Sequence, residues 1–165
     1  MARRNPEVRF VLVGEGNPGP LRACARALGI AERVIFAGFV EEVPEALASM
    51  DVVICASLRG EGLTGAIREA LAMERPVVST DVAGNREVVR AQETGLLVPV
   101  GNPAALAAAV SSLLNDPDKA RALAREGRAL VHRLCTVEAH VRRIERLYWG
   151  LLEAREKNTQ KRAVL

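Results

Sequence analysis

The sequence predicts an α/β domain in which helices cover both faces of a mostly parallel sheet and a helical region follows. Short, apolar, β-branched runs alternate with segments of helical periodicity, and this alternation is typical of parallel βαβ units. Aromatic residues make up only 3% of the chain, so the core must be built from Ala, Val, Leu and Ile, which suits α/β layers. The length of 165 residues fits one domain with a substantial core.

Five strands are predicted, and most of them end at a glycine or at a polar loop. Gly14 closes the first strand and Gly38 the second, while Gly29 is a stop signal after the first helix. The predicted strands are 8–13, 34–37, 51–56, 76–79 and 95–99. The predicted helices between them are 21–28, 41–50 and 63–74, with one or two helical turns at 85–91.

Beyond the fifth strand the sequence predicts helices only. Asn102 is a good N-cap and Pro103 suits the first helical position, so a helix begins there and runs to about residue 114. A second helix is expected over 118–134 and a final amphipathic helix over 136–152. Residues 153–165 are polar and are expected to fray. The sequence therefore predicts a folded domain over 1–152 and a polar tail over 153–165.

The charge balance argues against a nucleic-acid partner. The net charge is +3, and a nucleic-acid surface would combine a concentrated basic patch with aromatic residues for stacking. Several arginines do gather between positions 121 and 146. A solvated helix face is the favoured interpretation of that cluster, and weak attraction to an anionic membrane surface is the alternative.

The cysteines and histidines predict neither a disulfide framework nor a metal site. Three cysteines lie far apart without a C-x-x-C spacing, which indicates reduced thiols in a cytoplasmic protein. The two histidines, His132 and His140, lack further ligands at metal-binding spacing. Neither a membrane span nor a signal peptide is expected, so membrane contact would be peripheral at most.

The first glycine-rich loop matches a dinucleotide-binding pattern. Gly14-Glu-Gly-Asn-Pro-Gly19 has the spacing G-x-G-x-x-G between a strand and a helix. Pro18 and Pro20, however, remove backbone N–H donors where a pyrophosphate would need them. No acidic residue ends the next predicted strand to bind a ribose. A glycine-rich turn is therefore favoured, and a dinucleotide-dependent oxidoreductase is a distant alternative.

A second loop offers an anion site beside two carboxylates. Gly62, Thr64 and Gly65 precede or open a predicted helix, whose first N–H groups are free to bind an anion. Glu61 lies in the loop, and Glu69 lies about 12 Å further along the helix. That separation spans a nucleotide sugar rather than one reacting bond, so a paired-carboxylate hydrolase fits poorly. The alternative is two solvated glutamates beside Arg59 and Arg68.

A run of motifs in this order resembles the retaining glycosyltransferases of family 4. Glu61 and Glu69 have the E-x7-E spacing of that family. The segments that flank them match as well, over residues 8 to about 152: Phe10-Val-Leu-Val-Gly-Glu-Gly16, Val34-Ile-Phe-Ala-Gly-Phe-Val40, Asp51-Val-Val-Ile54, Arg75-Pro-Val-Val-Ser-Thr-Asp81, Ala83-Gly-Asn-Arg-Glu-Val-Val89 and Thr94-Gly-Leu-Leu-Val98. The resemblance implies the C-terminal, donor-binding half of a GT-B enzyme, with a Rossmann-like sheet.

The resemblance also implies site residues and a reaction. Glu61 would contact the hydroxyls of the donor sugar as the catalytic carboxylate, and Glu69 would bind the nucleotide ribose. The family's remaining donor contacts would fall on the backbone of Gly62, Leu63 and Thr64, on Gly14 and Gly16 at the phosphates, and on Phe39 and Val40 at the base. The implied reaction is retaining transfer from a nucleotide-diphosphate sugar, without a metal or cofactor.

The sequence departs from the family in what it lacks. The acceptor domain is absent, and so is the first strand–helix unit of the donor domain, which would be central in a doubly wound sheet. A gap is therefore expected between strands 8–13 and 51–56, to be filled by a second copy of the chain, by a separate partner or by a rearranged register. Thr64 and Leu63 also replace the more usual glycine and aromatic residue. The glycosyltransferase half is expected to be inactive alone. The alternative is a non-catalytic remnant that acts as an assembly module.

Overall fold

The computed structural model describes residues 5–59, 62 and 64–163, with side chains as far as residue 155. It has the expected alternation of strands and helices. The strands are β1 (Phe10–Val13), β2 (Val34–Gly38), β3 (Val53–Cys55), β4 (Val77–Thr80) and β5 (Leu96–Val98). The helices are α1 (Gly19–Ala27), α2 (Val43–Ala48), α3 (Gly65–Ala72), α4 (Pro103–Asn115), α5 (Pro117–Leu134) and α6 (Val137–Ala163), and short 3-10 helices span Ala31–Arg33 and Asn85–Glu87.

Side-chain caps fix the starts of the three C-terminal helices. The Asn102 side chain accepts a hydrogen bond from the Ala105 amide at 2.9 Å, and Asp116 accepts one from the Lys119 amide at 3.0 Å. Thr136 accepts from the Ala139 amide at 3.2 Å, just before α6. Each cap satisfies an amide that the first helical turn leaves free. These helices therefore begin where the sequence predicts.

The end of α6 differs from the prediction. The sequence suggests fraying after residue 152, but α6 continues as one helix to Ala163. The residues past Leu152 include Glu, Ala, Arg, Lys and Gln, which are good helix formers. Their helix propensity therefore agrees with a helix rather than a tail without secondary structure.

All described strand pairs are parallel, as predicted, but they fall into two sheets. One sheet pairs β1 with β2, and the other has the order β3-β4-β5. Phe10 is in register with Val34 in the first sheet, and Val53 is in register with Val77 in the second. Among the described strands none pairs with both β1 and β3. The division thus lies where the sequence suggests that a central strand is absent.

The core is built on the three-stranded sheet. All four residues of β4 are buried, and Ile67, Ala70 and Leu71 of α3 are fully buried. Two apolar clusters pack on this sheet, one with α3 and the end of α5, the other with α4 and the start of α5. Within the described residues, β1, α1 and β2 contribute to neither cluster. The two-stranded unit therefore lies outside the main core.

Apolar side chains are consequently exposed along the strands on either side of the division. Val11 and Val13 of β1, Ile35 of β2 and Ile54 of β3 are between 40% and 47% exposed. Such β-branched residues on strands are normally covered by a neighbouring element. The exposed fractions show that this part of the domain has apolar surface left to bury.

Helix α6 packs against the rest of the domain only near its start. Ala139 is buried, but every later α6 residue with a described side chain is exposed. The exposed apolar residues are Val137, Val141, Ile144, Leu147, Tyr148, Trp149, Leu151 and Leu152. Most recur at the three- and four-residue spacing that makes one helix face. Within the part of the chain that the structure describes, no helix is long and apolar enough to cross a membrane.

Candidate functional site

The candidate site lies at the carboxyl ends of β3 and β4, where α3 begins. Parallel sheets bind ligands at this edge, because the helix N-termini point there. Thr64 is the extended residue before α3, with φ −62° and ψ 125°, and Gly62 is exposed. Gly60, and the predicted Glu61 and Leu63, lie outside the described residues. The described flanks therefore define the site, and the role of Glu61 stays a prediction.

A buried hydrogen-bond network ties the start of α3 to the end of β4. Thr64 Oγ1 lies 2.9 Å from Asn85 Oδ1, and Asn85 Nδ2 lies 2.9 Å from Ser79 Oγ. Asn85 is 0% exposed, so its polar groups must find partners inside the protein. The sequence analysis placed Asn85 in a resembling motif but gave it no role, because burial on a short 3-10 helix leaves no periodic signal.

The other flank of the same loop is also attached to β4. The Thr80 hydroxyl donates to the Ser57 carbonyl oxygen at 2.7 Å and lies 3.4 Å from the Cys55 carbonyl oxygen. Thr80 is 4% exposed, and the sequence analysis gave it no role either. The last residues of β4 therefore bond directly to one side of the segment 58–63, through Thr80 and Ser57, and reach the other side at Thr64 through Asn85.

Glu69 lies on the second turn of α3 and lines an open groove. Its side chain returns toward the first turn, because a β-carbon added at Gly65 would lie 3.8 Å from Glu69 Oε1. The groove has a volume of about 340 Å³. Its walls are Gly65, Arg68, Glu69 and Ala72 from α3, and Val131, His132, Cys135 and Thr136 from the end of α5 and the following turn. The structure thus places the predicted ribose ligand in a concave surface, with neighbours from α5 that the sequence analysis missed.

The glycine-rich turn and the predicted base-binding turn lie side by side. The Gly14 amide donates to the Gly38 carbonyl oxygen at 2.8 Å. Gly14 and Gly16 have φ values of 132° and 138°, which favour glycine. Phe39 is exposed and Val40 is half-buried. The structure therefore brings these four predicted residues together at the carboxyl edge of the β1–β2 sheet.

A second turn at the site edge is fixed by an ion pair. Asp81 follows β4 and accepts hydrogen bonds from Arg86, whose Nη2 lies 2.9 Å from Asp81 Oδ2. The hydrogen bond to Asp81, and then its charge, raise the pKa of the Arg86 guanidinium. The pair closes the turn that contains Gly84, with φ 87°, and the buried Asn85. Both side chains of the pair are solvent-accessible, so its contribution to stability is small.

The described residues do not group into a metal-binding cluster. Across the described ranges, no three His, Cys, Asp or Glu side chains converge closely enough to hold an ion. The free thiols are Cys24 on α1, Cys55 on β3 and Cys135 after α5. The absence of a required metal stays a prediction for the whole chain.

Comparison with known proteins finds a matching family and related sequences. The sequence pattern of the family described as "Glycosyl transferases group 1" matches residues 1–116. The phosphatidyl-myo-inositol mannosyltransferase of Mycobacterium leprae is 38% identical over 112 residues, which cover 67% of this chain and 29% of that protein. EpsD of Bacillus subtilis is 36% identical over 124 residues, which cover 74% of this chain and 32% of EpsD. The chain thus spans about a third of the length of these relatives.

Solved structures show the same fold. Anabaena Alr3699/HepE, crystallised with UDP and with UDP-glucose, superposes with a TM-score of 0.79 at 28% identity. The match covers 87% of this chain and 41% of HepE. A sucrose-phosphate synthase from Thermosynechococcus elongatus superposes with a TM-score of 0.78 at 30% identity, over 88% of this chain and 39% of that one.

Proposed function

We propose that this chain, which belongs to the family of glycosyl transferases group 1, binds a nucleotide-diphosphate sugar as the donor half of a retaining glycosyltransferase. The observation that carries the proposal is the placement of Glu69 in a groove beside the exposed N-terminus of α3, at the carboxyl edge of the sheet. The UDP and UDP-glucose complexes of HepE support the choice of ligand. Membership of glycosyltransferase family 4 is part of the proposal.

The proposed roles are those that the resemblance to family 4 implies, and they suit the charge and geometry of the ligand. A carboxylate accepts hydrogen bonds from both hydroxyls of a diol, so Glu69 binds the ribose and Glu61 binds the donor sugar. The backbone amides at Gly62, Leu63 and Thr64 face the diphosphate, where a helix N-terminus stabilises negative charge. Gly14 and Gly16 line the phosphate side, and the turn with Phe39 and Val40 contacts the base.

The same arrangement stabilises the departing group during transfer. Charge accumulates on the leaving diphosphate as the glycosidic bond breaks, and preorganised N–H groups lower the energy of that charge. The leaving phosphate also helps to deprotonate the acceptor, which attacks from the same face and gives retention. No metal or other cofactor takes part in the proposed reaction. We place the reaction in the cytoplasm, with at most peripheral contact with the inner membrane surface.

Nucleotide binding is the first test. We expect UDP, GDP or ADP, or one of their hexose conjugates, to raise the melting temperature of the chain, because a ligand that binds only the folded state stabilises it. The Glu69→Gln variant should bind that nucleotide about 10- to 100-fold more weakly, since a hydrogen bond to a charged group contributes roughly 1.5–3 kcal/mol.

The control for this test is Glu126→Gln, which removes an exposed carboxylate on α5 away from the groove lining. It should bind as the wild type does. A wild-type chain whose melting temperature responds to none of the nucleotides would contradict the proposed function. Binding that survives Glu69→Gln unchanged would contradict the role of Glu69 alone.

We propose further that another protein surface packs against the exposed apolar side chains of this domain. The matched part of the chain makes up only about a third of the length of its relatives, and exposed apolar side chains line β1 and β3 on either side of the sheet division. An acceptor domain, or a second copy in its absence, would cover this surface and the exposed face of α6. Without an acceptor domain the chain alone should bind donor but transfer no sugar.

The exposed face of α6 also favours the second candidate function, a non-catalytic assembly module. Contiguous apolar surface of this kind marks protein interfaces. The nucleotide titration separates the two candidates, because an assembly module would associate without binding any nucleotide.

A further inference from the structure

The hydrogen bonds around Asn85 can run in only one direction. The Thr80 carbonyl oxygen can only accept, and it lies 3.1 Å from Ser79 Oγ and 3.5 Å from Asn85 Nδ2. The Ser79 hydroxyl therefore donates to that carbonyl, and its oxygen accepts from the Asn85 amide at 2.9 Å. Asn85 Oδ1 is left as an acceptor, so the Thr64 hydroxyl must donate to it at 2.9 Å.

The direction of these bonds explains why an amide is needed at position 85. An aspartate would offer no N–H to Ser79 or to the Thr80 carbonyl, and an apolar residue would leave the Thr64 hydroxyl without its acceptor. Within the described residues, no buried side-chain nitrogen or oxygen lacks a partner. A fully satisfied, buried network of this kind holds its members in one arrangement.

Two buried anchors thus meet at the end of β4. Asn85 holds the hydroxyl of Thr64, and Thr80 holds the carbonyl of Ser57 at 2.7 Å. Ser57 and Thr64 flank the segment 58–63 on either side. Because α3 packs on the sheet through its fully buried Ile67 and Leu71, the start of that helix needs no polar anchor merely to stay attached to the core.

We propose that Thr80 and Asn85 are positioning residues for the donor sugar, acting through Ser57 and Thr64. They touch no ligand themselves. They hold Ser57 and Thr64, the described residues on either side of positions 58–63, so that these two flanks need not be ordered when the sugar binds. The assignment rests on the proposed function, because a nucleotide sugar is the ligand whose sugar end the loop would contact, while Glu69 contacts the ribose.

The experiment compares UDP with UDP-glucose in the full chain. Thr80→Val removes the hydroxyl with little change of volume, and Thr80→Ser retains it. Thr64→Val and Thr64→Ser form the matching pair at the other anchor. For each protein we would measure the Kd of UDP and of UDP-glucose by calorimetry, the melting temperature, and amide hydrogen exchange at Ser57, Leu58 and Arg59.

We expect both valine variants to remain folded, and Thr80→Val to bind UDP within about twofold of the wild type. The preference for UDP-glucose over UDP should fall by about fivefold in each, in line with the net strength of one hydrogen bond, and the serine variants should restore it. In Thr80→Val, the rate of amide hydrogen exchange at Ser57, Leu58 and Arg59 should rise by about tenfold, while the exchange rates in α4 should not change.

Two results would overturn the proposal while leaving the proposed function intact. The first is that both valine variants keep the wild-type preference for UDP-glucose over UDP and the wild-type rate of amide hydrogen exchange. The other is an equal loss of UDP and UDP-glucose affinity with a lowered melting temperature, which would show a structural role only. A wild-type chain that binds neither ligand would instead overturn the proposed function, and with it the assignment to sugar binding. The exchange data would still show whether Thr80 holds the loop.

Discussion

Close packing between helices in the core of this domain restricts which residue can stand at a single position. Gly127 of α5 is buried against α3 and the turn before β5. A β-carbon there would lie 2.5 Å from Leu71 Cδ2 and 3.1 Å from the Thr94 carbonyl oxygen. Leu71 is itself fully buried, so it has little room to move away. A glycine that looks unfavourable within a helix is thus required by tertiary packing.

We therefore expect Gly127→Ala to lower the free energy of unfolding by about 1 kcal/mol or more. Overpacking a core costs roughly 1–3 kcal/mol, which exceeds the gain of about 1 kcal/mol from replacing a helical glycine. The matched control is Gly150→Ala in α6, where no atom lies within 4 Å of the added carbon. Urea denaturation should show it unchanged or more stable. Equal effects of the two substitutions would refute the close approach of α5 to α3.

Among the secondary-structure elements, α6 is unusual because its apolar face has no partner in the described structure. Ile144, Leu147, Tyr148 and Leu151 lie within about two helical turns of one another and are all exposed. Arg142 and Arg146 lie on the other side of the helix beside Trp149, as the 3.6-residue period requires. A helix with one apolar and one charged face is stable when another surface covers the apolar face.

In the isolated chain we expect two copies to associate through this face. Sedimentation or light scattering should give a mass that rises with concentration for the wild type, and a monomer for the double variant Leu147→Glu, Leu151→Glu. Glutamate is a good helix former, so circular dichroism should be unchanged. Arg146→Glu, on the opposite face, is the control and should associate as the wild type does. A monomeric wild type would exclude self-association and leave the acceptor domain as the partner of this face.

At the scale of the whole molecule, the two sheets differ in how well they are supported. Sheet β3-β4-β5 carries both apolar clusters, whereas the described part of β1-α1-β2 joins neither. Regions with few buried apolar contacts open locally at a lower free-energy cost than the core does. The predicted phosphate and base contacts at Gly14, Gly16, Phe39 and Val40 all lie on the weaker unit.

Native-state hydrogen exchange should reveal this difference directly. We expect the paired amides of β1 and β2 to exchange at least about tenfold faster than those of β4, because β4 opens only with the core. Binding of a nucleotide sugar or of an acceptor domain should slow exchange in β1 and β2 most. Equal protection of β2 and β4 in the free chain would contradict the separation of the two sheets.

Much of this protein can be predicted from its sequence alone. Alternating apolar runs indicated the order of the strands and helices, and Asn102 with Pro103 indicated a helix start, because both signals depend on near neighbours in the chain. The motifs in order predicted a glycosyltransferase, and the match of residues 1–116 to the glycosyl transferases group 1 confirms it, while membership of family 4 stays a prediction. The length of α6 was missed, since a solvated helix of charged residues has no apolar period.

Only the tertiary structure decided which distant residues meet. Glu69 and His132 share a groove, Asn85 joins Thr64 to Ser79, and Gly127 admits the side chain of Leu71. The gap between β1 and β3 was expected from the sequence, but only the strand pairing shows that the strands form two separate sheets. Local sequence sets the conformation of each segment, but burial and pairing depend on contacts between segments that lie far apart in the chain, and those contacts leave no local pattern.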